Sequence, residues 1–321
     1  MGVDLSPFMP SRIVERQTPT EFLSEFLQAL AAAGLEPGQP IGNDLVGGKL
    51  VRFSVAGSKS KSRSAWARLW LDEFPAGIAG DWRADSRPLV KWEARHSRQM
   101  TPAERLVLEH LRRRRAAEHQ AEVDAQRQAT AIEARKLWLS ADGVSADHPY
   151  AQRKALSGDL IDRRWLRQSG NMLLVPMQDL SGAIHNLQRI YPSGDKRFLK
   201  GGLIDGLFWG CGLPVQALKP WNAPVVAIGE GMATMAAVRR ATGLPVIAAL
   251  SARNLPRVAD ALAKARPDLA FVVVGDDDAQ LEVERPDLGN VGRARAEEAL
   301  RRIMAVTPRA QLVLPRREMA A

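Results

Sequence analysis

Two stretches of this 321-residue chain decide its fold, VVAIGEG at residues 225–231 and FVVVGDDD at residues 271–278. Each starts with a short, β-branched apolar run and ends in glycine followed by acid, which is typical of a buried parallel strand that runs into a loop. Open α/β sheets bind their ligands at the carboxyl ends of such strands. Carboxylates that converge there repel one another unless a divalent cation neutralises them, and their hard oxygen atoms suit Mg²⁺ or Mn²⁺. The two stretches therefore predict a metal-dependent phosphoryl-transfer site.

Four acidic residues make up this predicted site. Asp276 and Asp278 are two positions apart at a strand end, so both side chains are expected on one side, where they could bind one or two metal ions. Asp277 is included as a further metal ligand; its side chain would point away or reach the site by a different path, and a turn or surface role is its alternative. Glu230 lies in a Gly-x-Gly turn that lets the backbone approach a substrate. The residues leave open whether Glu230 binds metal or manages the proton of an attacking hydroxyl.

Positive charge is concentrated in the first two-thirds of the chain. Lys and Arg number 45 against 36 for Asp and Glu, a net charge of +9. Residues up to Lys200 hold 30 basic and 23 acidic residues, and the remainder hold 15 and 13, so the first part carries +7. This distribution favours a polyanionic partner, with nucleic acid the foremost candidate. An arginine-rich protein without such a partner is the alternative that composition leaves open.

Cysteine content and hydropathy exclude several other classes. The one cysteine, Cys211, permits no internal disulfide and no cysteine-based zinc ribbon, and it is expected to be a small buried apolar residue. No apolar stretch of about 18 residues and no signal-peptide pattern occur. We therefore expect a cytoplasmic protein without a membrane segment.

The pattern of apolar residues predicts four parts along the chain. Residues 1–98 combine a helix near 18–33 with a small β-rich module, whose tryptophans are expected to form core rather than to stack on bases. Residues 99–145 form a charged helical spacer, and residues 146–222 form a basic block with a hairpin. Residues 223–321 alternate strands and helices, which predicts a doubly wound parallel sheet. The tryptophans are Trp66, Trp70, Trp82 and Trp92; the strands are expected at 225–228, 245–249, 271–274 and 311–314.

The motif GEGMAT at residues 229–234 and the Asp276-x-Asp278 pair resemble the two signature motifs of the Toprim domain. That domain is shared by bacterial-type primases, type IA and type II topoisomerases and some nucleases. Upstream, the stretches HPYAQR at 148–153, LLVPMQD at 173–179 and KRFL at 196–199 resemble the basic subdomain that precedes Toprim in primases. The stretch LPVIAALSARNL at 244–255 is most similar to primases of conjugative plasmids and phages.

This resemblance implies a Toprim-type α/β fold preceded by a basic α+β primase-like subdomain, and a DNA primase activity. Such an enzyme makes short RNA primers on a single-stranded DNA template from nucleoside triphosphates (NTPs), with Mg²⁺ or Mn²⁺. No Gly-x-x-x-x-Gly-Lys-Ser/Thr loop occurs, so unwinding is expected from a separate helicase or relaxase. By analogy, six basic residues hold template phosphates or an incoming triphosphate: Arg153, Lys154, Arg189, Lys196, Arg197 and Lys200.

Two other functions remain open at this point. Leu281 stands where the Toprim pattern has glycine, and an acidic motif often found after the last strand is missing. Both departures suit a single-stranded-DNA-binding accessory protein whose Toprim site is inactive. A Toprim nuclease or topoisomerase is the third reading; a topoisomerase would need a nucleophilic tyrosine, and the chain offers only Tyr150 and Tyr191, both inside the basic block.

Overall fold

The computed structural model describes residues 18–58, 63–72, 74–81, 89–94, 101–212, 224–276 and 290–314. The chain divides into two compact units, Met1–Glu118 and His119–Ala321. The acidic stretches and the basic block both belong to the second unit. Each unit has its own buried apolar core.

The first unit contains a four-stranded antiparallel sheet. Its strands, paired in chain order, are β1 (Val51–Phe53), β2 (Ala65–Trp70), β3 (Ala76–Asp81) and β4 (Val90–Glu93). Two helices precede the four strands, α1 (Pro19–Ala32) and α2 (Gly42–Val46). The Thr18 side chain accepts from the backbone N–H of Glu21, and the Glu21 carboxylate accepts from the N–H of Thr18. This capping box fixes the start of α1 where the sequence predicts it.

The tryptophans of this unit pack rather than present free faces. Trp66 is buried, and Trp92 lies against the rings of Phe22 and Phe26 of α1, with ring centroids 6.4 and 5.7 Å apart. Trp70 is partly buried, with guanidinium groups of Arg68 and Arg115 at 5.2 and 5.3 Å from its ring. The expectation of core tryptophans is confirmed for Trp66 and Trp92. Trp82 lies outside the described residues.

The charged segment is one long helix, α3 (Pro102–Ser140), but it is not simply a solvated spacer. Val107, Leu108 and Leu111 are buried near its start, and Ala134 and Trp138 are buried near its end. Residues 116–129 between them are mostly exposed. The expectation of a solvated spacer is therefore wrong at both ends. The helix has too few apolar positions for the sequence to reveal these contacts.

The arginine run at 112–115 is engaged within the first unit. Arg115 is buried and pairs with the Asp72 carboxylate, and it donates to the carbonyl oxygen of Phe74 at 3.0 Å. Arg112 pairs with Glu93.

Among the described helices, neither α3 nor any other is long and apolar enough to span a membrane.

The described part of the second unit contains two sheets. The first is antiparallel, with strands in chain order: β5 (Arg167–Ser169), β6 (Met172–Gln178), β7 (Ile184–Ile190) and β8 (Lys196–Phe198). The second has the order β13-β12-β10-β11-β9, with strands β9 (Trp209–Cys211), β10 (Val225–Gly229), β11 (Val246–Ala248), β12 (Ala270–Val274) and β13 (Ala310–Val313). The helices are α4 (Pro149–Arg153), α5 (Met232–Thr242), α6 (Leu255–Ala265) and α7 (Val291–Met304). The predicted hairpin and the predicted alternation of strands and helices are confirmed.

One apolar core joins the two sheets of the second unit. Leu173, Val175 and Ile190 of the antiparallel sheet lie in the same buried cluster as Ala227 and Val246 of the parallel sheet. The opposite face of the antiparallel sheet, at Leu174 and Leu187, packs on Ala134 and Trp138 of α3. The basic block is therefore sandwiched between the end of α3 and the parallel sheet.

Strand β9 is an antiparallel addition to the edge of the otherwise parallel sheet. It contains Cys211, which is fully buried, as the sequence predicts. Burial raises the pKa of the Cys211 thiol to about 12. The thiol is therefore neutral near pH 7 and packs as a small apolar group.

The burial of Trp138 predicts that the end of α3 stabilises the second unit. We expect Trp138→Ala to lower the free energy of unfolding by about 3–5 kcal/mol, since it removes a large buried ring. Leu139→Ala, next to it on the helix and 73% exposed, is the matched control and should change stability by less than about 0.5 kcal/mol. Urea unfolding followed by circular dichroism measures both, and equal effects would contradict the packing of this helix end.

Candidate active site

Parallel pairing of β10 and β12 brings two of the predicted acids to one edge of the sheet. Gly229 pairs with Val274, so Glu230 follows opposite Gly275 and Asp276 lies one residue further along. Neighbouring strands run about 4.8 Å apart. Glu230 and Asp276 are both partly buried. The structure thus places Glu230 and Asp276 at the carboxyl ends of two adjacent strands, as the sequence predicts.

Glycine precedes each acid because no side chain fits there. A Cβ at Gly229 would lie 3.0 Å from the carbonyl oxygen of Val274, and one at Gly275 would lie 3.0 Å from the Cβ of Ala296. Real Cβ atoms rarely approach other atoms so closely, and neither neighbour is the end of a flexible chain. The two glycines therefore allow the strand ends and helix α7 to pack closely around the acids.

A third strand end also reaches this edge. The residues after β11 turn back so that the N–H groups of Ala249 and Leu250 donate to the carbonyl oxygens of Gly229 and Glu230, at 2.9 and 2.8 Å. Leu250 has a φ of +65°, a left-handed conformation that is unusual for a residue other than glycine. This turn was not predicted, because nothing in a leucine side chain signals a positive φ.

The described donors suit a hard cation but are incomplete as a ligand set. Asp277 and Asp278 lie outside the described residues, as does Leu281. Within the described ranges, no group of three or more His, Cys, Asp or Glu residues is placed to hold a metal ion. Glu230 and Asp276 supply carboxylate oxygens, the ligands that Mg²⁺ and Mn²⁺ prefer. The residues present therefore fit such an ion, with Asp278 and Asp277 as the remaining predicted ligands.

Strand register divides the predicted basic residues between two faces of the antiparallel sheet. Arg189 pairs with Leu174 on one side and Arg197 on the other, so these arginines share the face that packs on α3. Lys196 pairs with Ile190, whose side chain lies in the core shared with the parallel sheet. Lys196 thus lies on the opposite face, the one that packs against the parallel sheet, and is exposed at its edge. The sequence could not reveal this division, because it depends on the pairing register.

The arginine face carries aromatic rings as well as charge. The guanidinium of Arg197 lies 5.5 Å from the ring of Tyr191, and that of Arg167 lies 4.7 Å from the ring of Trp138. Among the described residues, the Nε atom of Arg189 is buried without a hydrogen-bond partner. The Arg167 pair is structural, because Trp138 is buried and Arg167 donates to carbonyl oxygens at the end of α3. The exposed Arg197 and the unsatisfied donor of Arg189 suit an anionic ligand.

The other predicted basic residues lie near the ends of this sheet. Arg153, at the end of α4, donates to the carbonyl oxygen of Pro192 at 2.9 Å, in the turn between β7 and β8. Lys154 is the C-cap residue of α4 and is exposed. Lys200 is also exposed, and its carbonyl oxygen accepts from the Thr130 hydroxyl of α3 at 3.2 Å. Arg153 is thereby held close to β8, the strand that carries Lys196 and Arg197.

The position of the two acids predicts divalent-cation binding at this edge. We expect Glu230→Gln and Asp276→Asn each to weaken Mn²⁺ binding by about tenfold or more, since each removes a charged oxygen donor. Glu297→Gln is the control, because Glu297 is paired with Arg293 on the surface of α7. Electron paramagnetic resonance of free Mn²⁺ gives the Mn²⁺ affinity of wild type and of the three variants. Wild-type affinity in both acid variants would place the metal elsewhere.

Comparison with known proteins links this edge to a named family. Residues 225–319 match the Toprim domain family. The chain is 31% identical over 305 residues to DNA primase TraC of Escherichia coli. The matched region covers 93% of this chain and 27% of that protein. A second DNA primase TraC of Escherichia coli is 30% identical over 287 residues, covering 88% of this chain and 19% of that protein. The chain thus spans about a quarter or less of the curated relatives' length.

Solved structures give a more distant likeness. A DnaG primase catalytic domain bound to ssDNA is 14% identical, with a TM-score of 0.40, over 60% of this chain and 74% of that chain. This similarity is too low for residue-by-residue comparison. The sequence is thus similar to the Toprim domain family over residues 225–319 and to DNA primase TraC over nearly all of this chain.

Proposed function

We propose that this chain makes short RNA primers on single-stranded DNA, as a primase of a plasmid or another mobile element. The observation that carries this proposal is the placement of Glu230 and Asp276 at adjacent strand ends, in one packed unit with a basic sheet. The sequence similarity to DNA primase TraC supports it. A protein that acts on plasmid DNA in this way would work in the cytoplasm.

The proposed reaction is nucleotidyl transfer. The 3′-hydroxyl of one nucleotide loses its proton and attacks the α-phosphorus of the next NTP, the α–β phosphoanhydride bond breaks, and pyrophosphate leaves. Bound Mg²⁺ or Mn²⁺ would acidify the 3′-hydroxyl and neutralise charge on the departing pyrophosphate. Asp276 and Asp278 would hold the cation, with Asp277 beside them. Glu230 would either complete the ligand set or accept the hydroxyl proton.

The two faces of the basic sheet suggest two binding roles. Lys196 lies on the face that packs against the acid-bearing parallel sheet, where a point charge would hold the triphosphate of an incoming nucleotide. Arg189 and Arg197 lie on the other face, Arg197 beside the ring of Tyr191, and their guanidinium groups would hold template phosphates there. Arg153, Lys154 and Lys200 would extend this phosphate contact around the sheet ends. A separate helicase or relaxase would supply the single-stranded template.

Primer synthesis is the direct test of this proposal. The wild-type chain should incorporate labelled NTPs into short products on circular single-stranded DNA with Mg²⁺ or Mn²⁺. Glu230→Gln, Asp276→Asn and Asp278→Asn should each lower the rate by about a hundredfold or more, because they remove groups that stabilise transition-state charge. Glu297→Gln should retain activity. DNA binding without incorporation in every protein would favour the single-stranded-DNA-binding accessory protein, and strand cleavage without incorporation would favour a nuclease.

The proposed division of the basic residues has its own test. Arg197→Ala should weaken binding of a single-stranded oligonucleotide and reduce the slope of log K against log salt by roughly 0.7, the loss of one phosphate contact. Lys196→Ala should instead raise the KM for NTPs and leave that slope nearly unchanged. Lys264→Ala, which removes an exposed lysine paired with Asp260 on α6, is the control for both measurements. Identical behaviour of the Arg197 and Lys196 variants would refute the division.

A further inference from the structure

The turn that follows β11 is held in a conformation that its own sequence does not favour. Leu250 is buried and has a φ of +65°. For a residue other than glycine this conformation is strained, and it persists only where surrounding groups hold it. Such positions cluster at functional sites. The groups that hold Leu250 in this conformation are therefore candidates for a role at the acidic site.

The N–H side of the turn fixes the backbone of the acidic motif. Ala249 and Leu250 donate to the carbonyl oxygens of Gly229 and Glu230, which continues the parallel pairing of β10 and β11 beyond their last strand residues. The position of the Glu230 backbone, and with it the origin of the Glu230 side chain, therefore depends on the turn.

Two buried amide side chains hold the carbonyl side of the same turn. The Nδ2 of Asn254 donates to the carbonyl oxygen of Ala249 at 2.9 Å, and the Nε2 of Gln188 donates to that of Leu250 at 3.4 Å. Asn254 is 1% exposed and Gln188 is 4% exposed. Because both bonds are shielded from water, losing either donor would leave a buried carbonyl oxygen unsatisfied.

Asn254 is used differently from an ordinary asparagine at the start of a helix. It occupies the N-cap position of α6, yet its side chain makes no capping hydrogen bond. Its Oδ1 accepts from the N–H of Gly206 at 2.7 Å, and its Nδ2 also donates to the carbonyl oxygen of Leu207 at 2.7 Å. The side chain thus ties the turn to the segment that enters β9, rather than capping its own helix.

We propose that Asn254 and Gln188 are positioning residues for the acidic site. Together they hold Leu250 in its left-handed conformation. The turn that contains Leu250 then fixes the backbone at Glu230. Gln188 precedes Arg189 on β7, so this contact joins the basic sheet to the acid-bearing edge. The inference rests on the proposed function only for the role of Glu230. The coupling of the two amide side chains to the turn, and of the turn to the Glu230 backbone, is independent of that function.

Hydrogen exchange measures the coupling without requiring primer synthesis. In Asn254→Ala and in Gln188→Met, which keeps volume but removes the donor, exchange in residues 246–251 should accelerate by about tenfold or more. Exchange in residues 270–275 should stay as in wild type. Leu262→Ala is the matched control, since it removes a buried side chain from α6, the helix that follows Asn254, and should not loosen the turn selectively.

Metal affinity then tests whether the turn positions the acid. Mn²⁺ affinity should fall about ten- to a hundredfold in both amide variants, the range for residues that orient metal ligands, and should be retained in Leu262→Ala. Unchanged exchange at 246–251, or an equal effect of Leu262→Ala, would overturn the inference. So would accelerated exchange with wild-type Mn²⁺ affinity. If wild type makes no primers while these shifts occur, the proposed function fails and the positioning role is upheld.

Discussion

Parallel hydrogen bonding between β10 and β12 is the constraint on which the candidate site depends. The pairing of Gly229 with Val274 sets where each strand ends, and therefore where Glu230 and Asp276 leave the sheet. A slip of one residue would point the strand side chains to the wrong faces and separate the acids. The buried Ile228 and Val273 oppose such a slip, because they would lose their place in the core. The geometry of the acids is thus a product of apolar packing.

The basic sheet is joined to the acidic edge by the same kind of packing. Leu173, Val175 and Ile190 share a core with the parallel sheet, and the ion pair between Arg239 of α5 and Asp159 adds a polar tie, with an N–O distance of 2.6 Å. Exposed pairs of this kind contribute little, so the apolar core provides most of the cohesion. Groups that would bind polyanion and groups that would bind metal therefore belong to one folded unit.

Much of this arrangement could be predicted from the sequence, because the decisive signals are local. Short β-branched runs that end in glycine and acid identify β10 and β12, and the alternation of strand and helix implies that their carboxyl ends meet. The features that escaped prediction depend on distant residues. Asn254 precedes a Leu-Pro pair and resembles a helix cap, while its partners Gly206 and Leu207 lie almost fifty residues earlier. Strand β9, with three residues, is too short to show a period.

The burial of Cys211 makes the protein a natural background for site-specific labelling. It is the one cysteine in the chain, and its neutral, inaccessible thiol leaves almost no thiolate to react with a maleimide near neutral pH. A cysteine introduced at an exposed position, such as Ser181 in the turn between β6 and β7, would therefore react alone in the folded protein. Fluorophores or spin labels could be attached one at a time without removing the native residue from its strand.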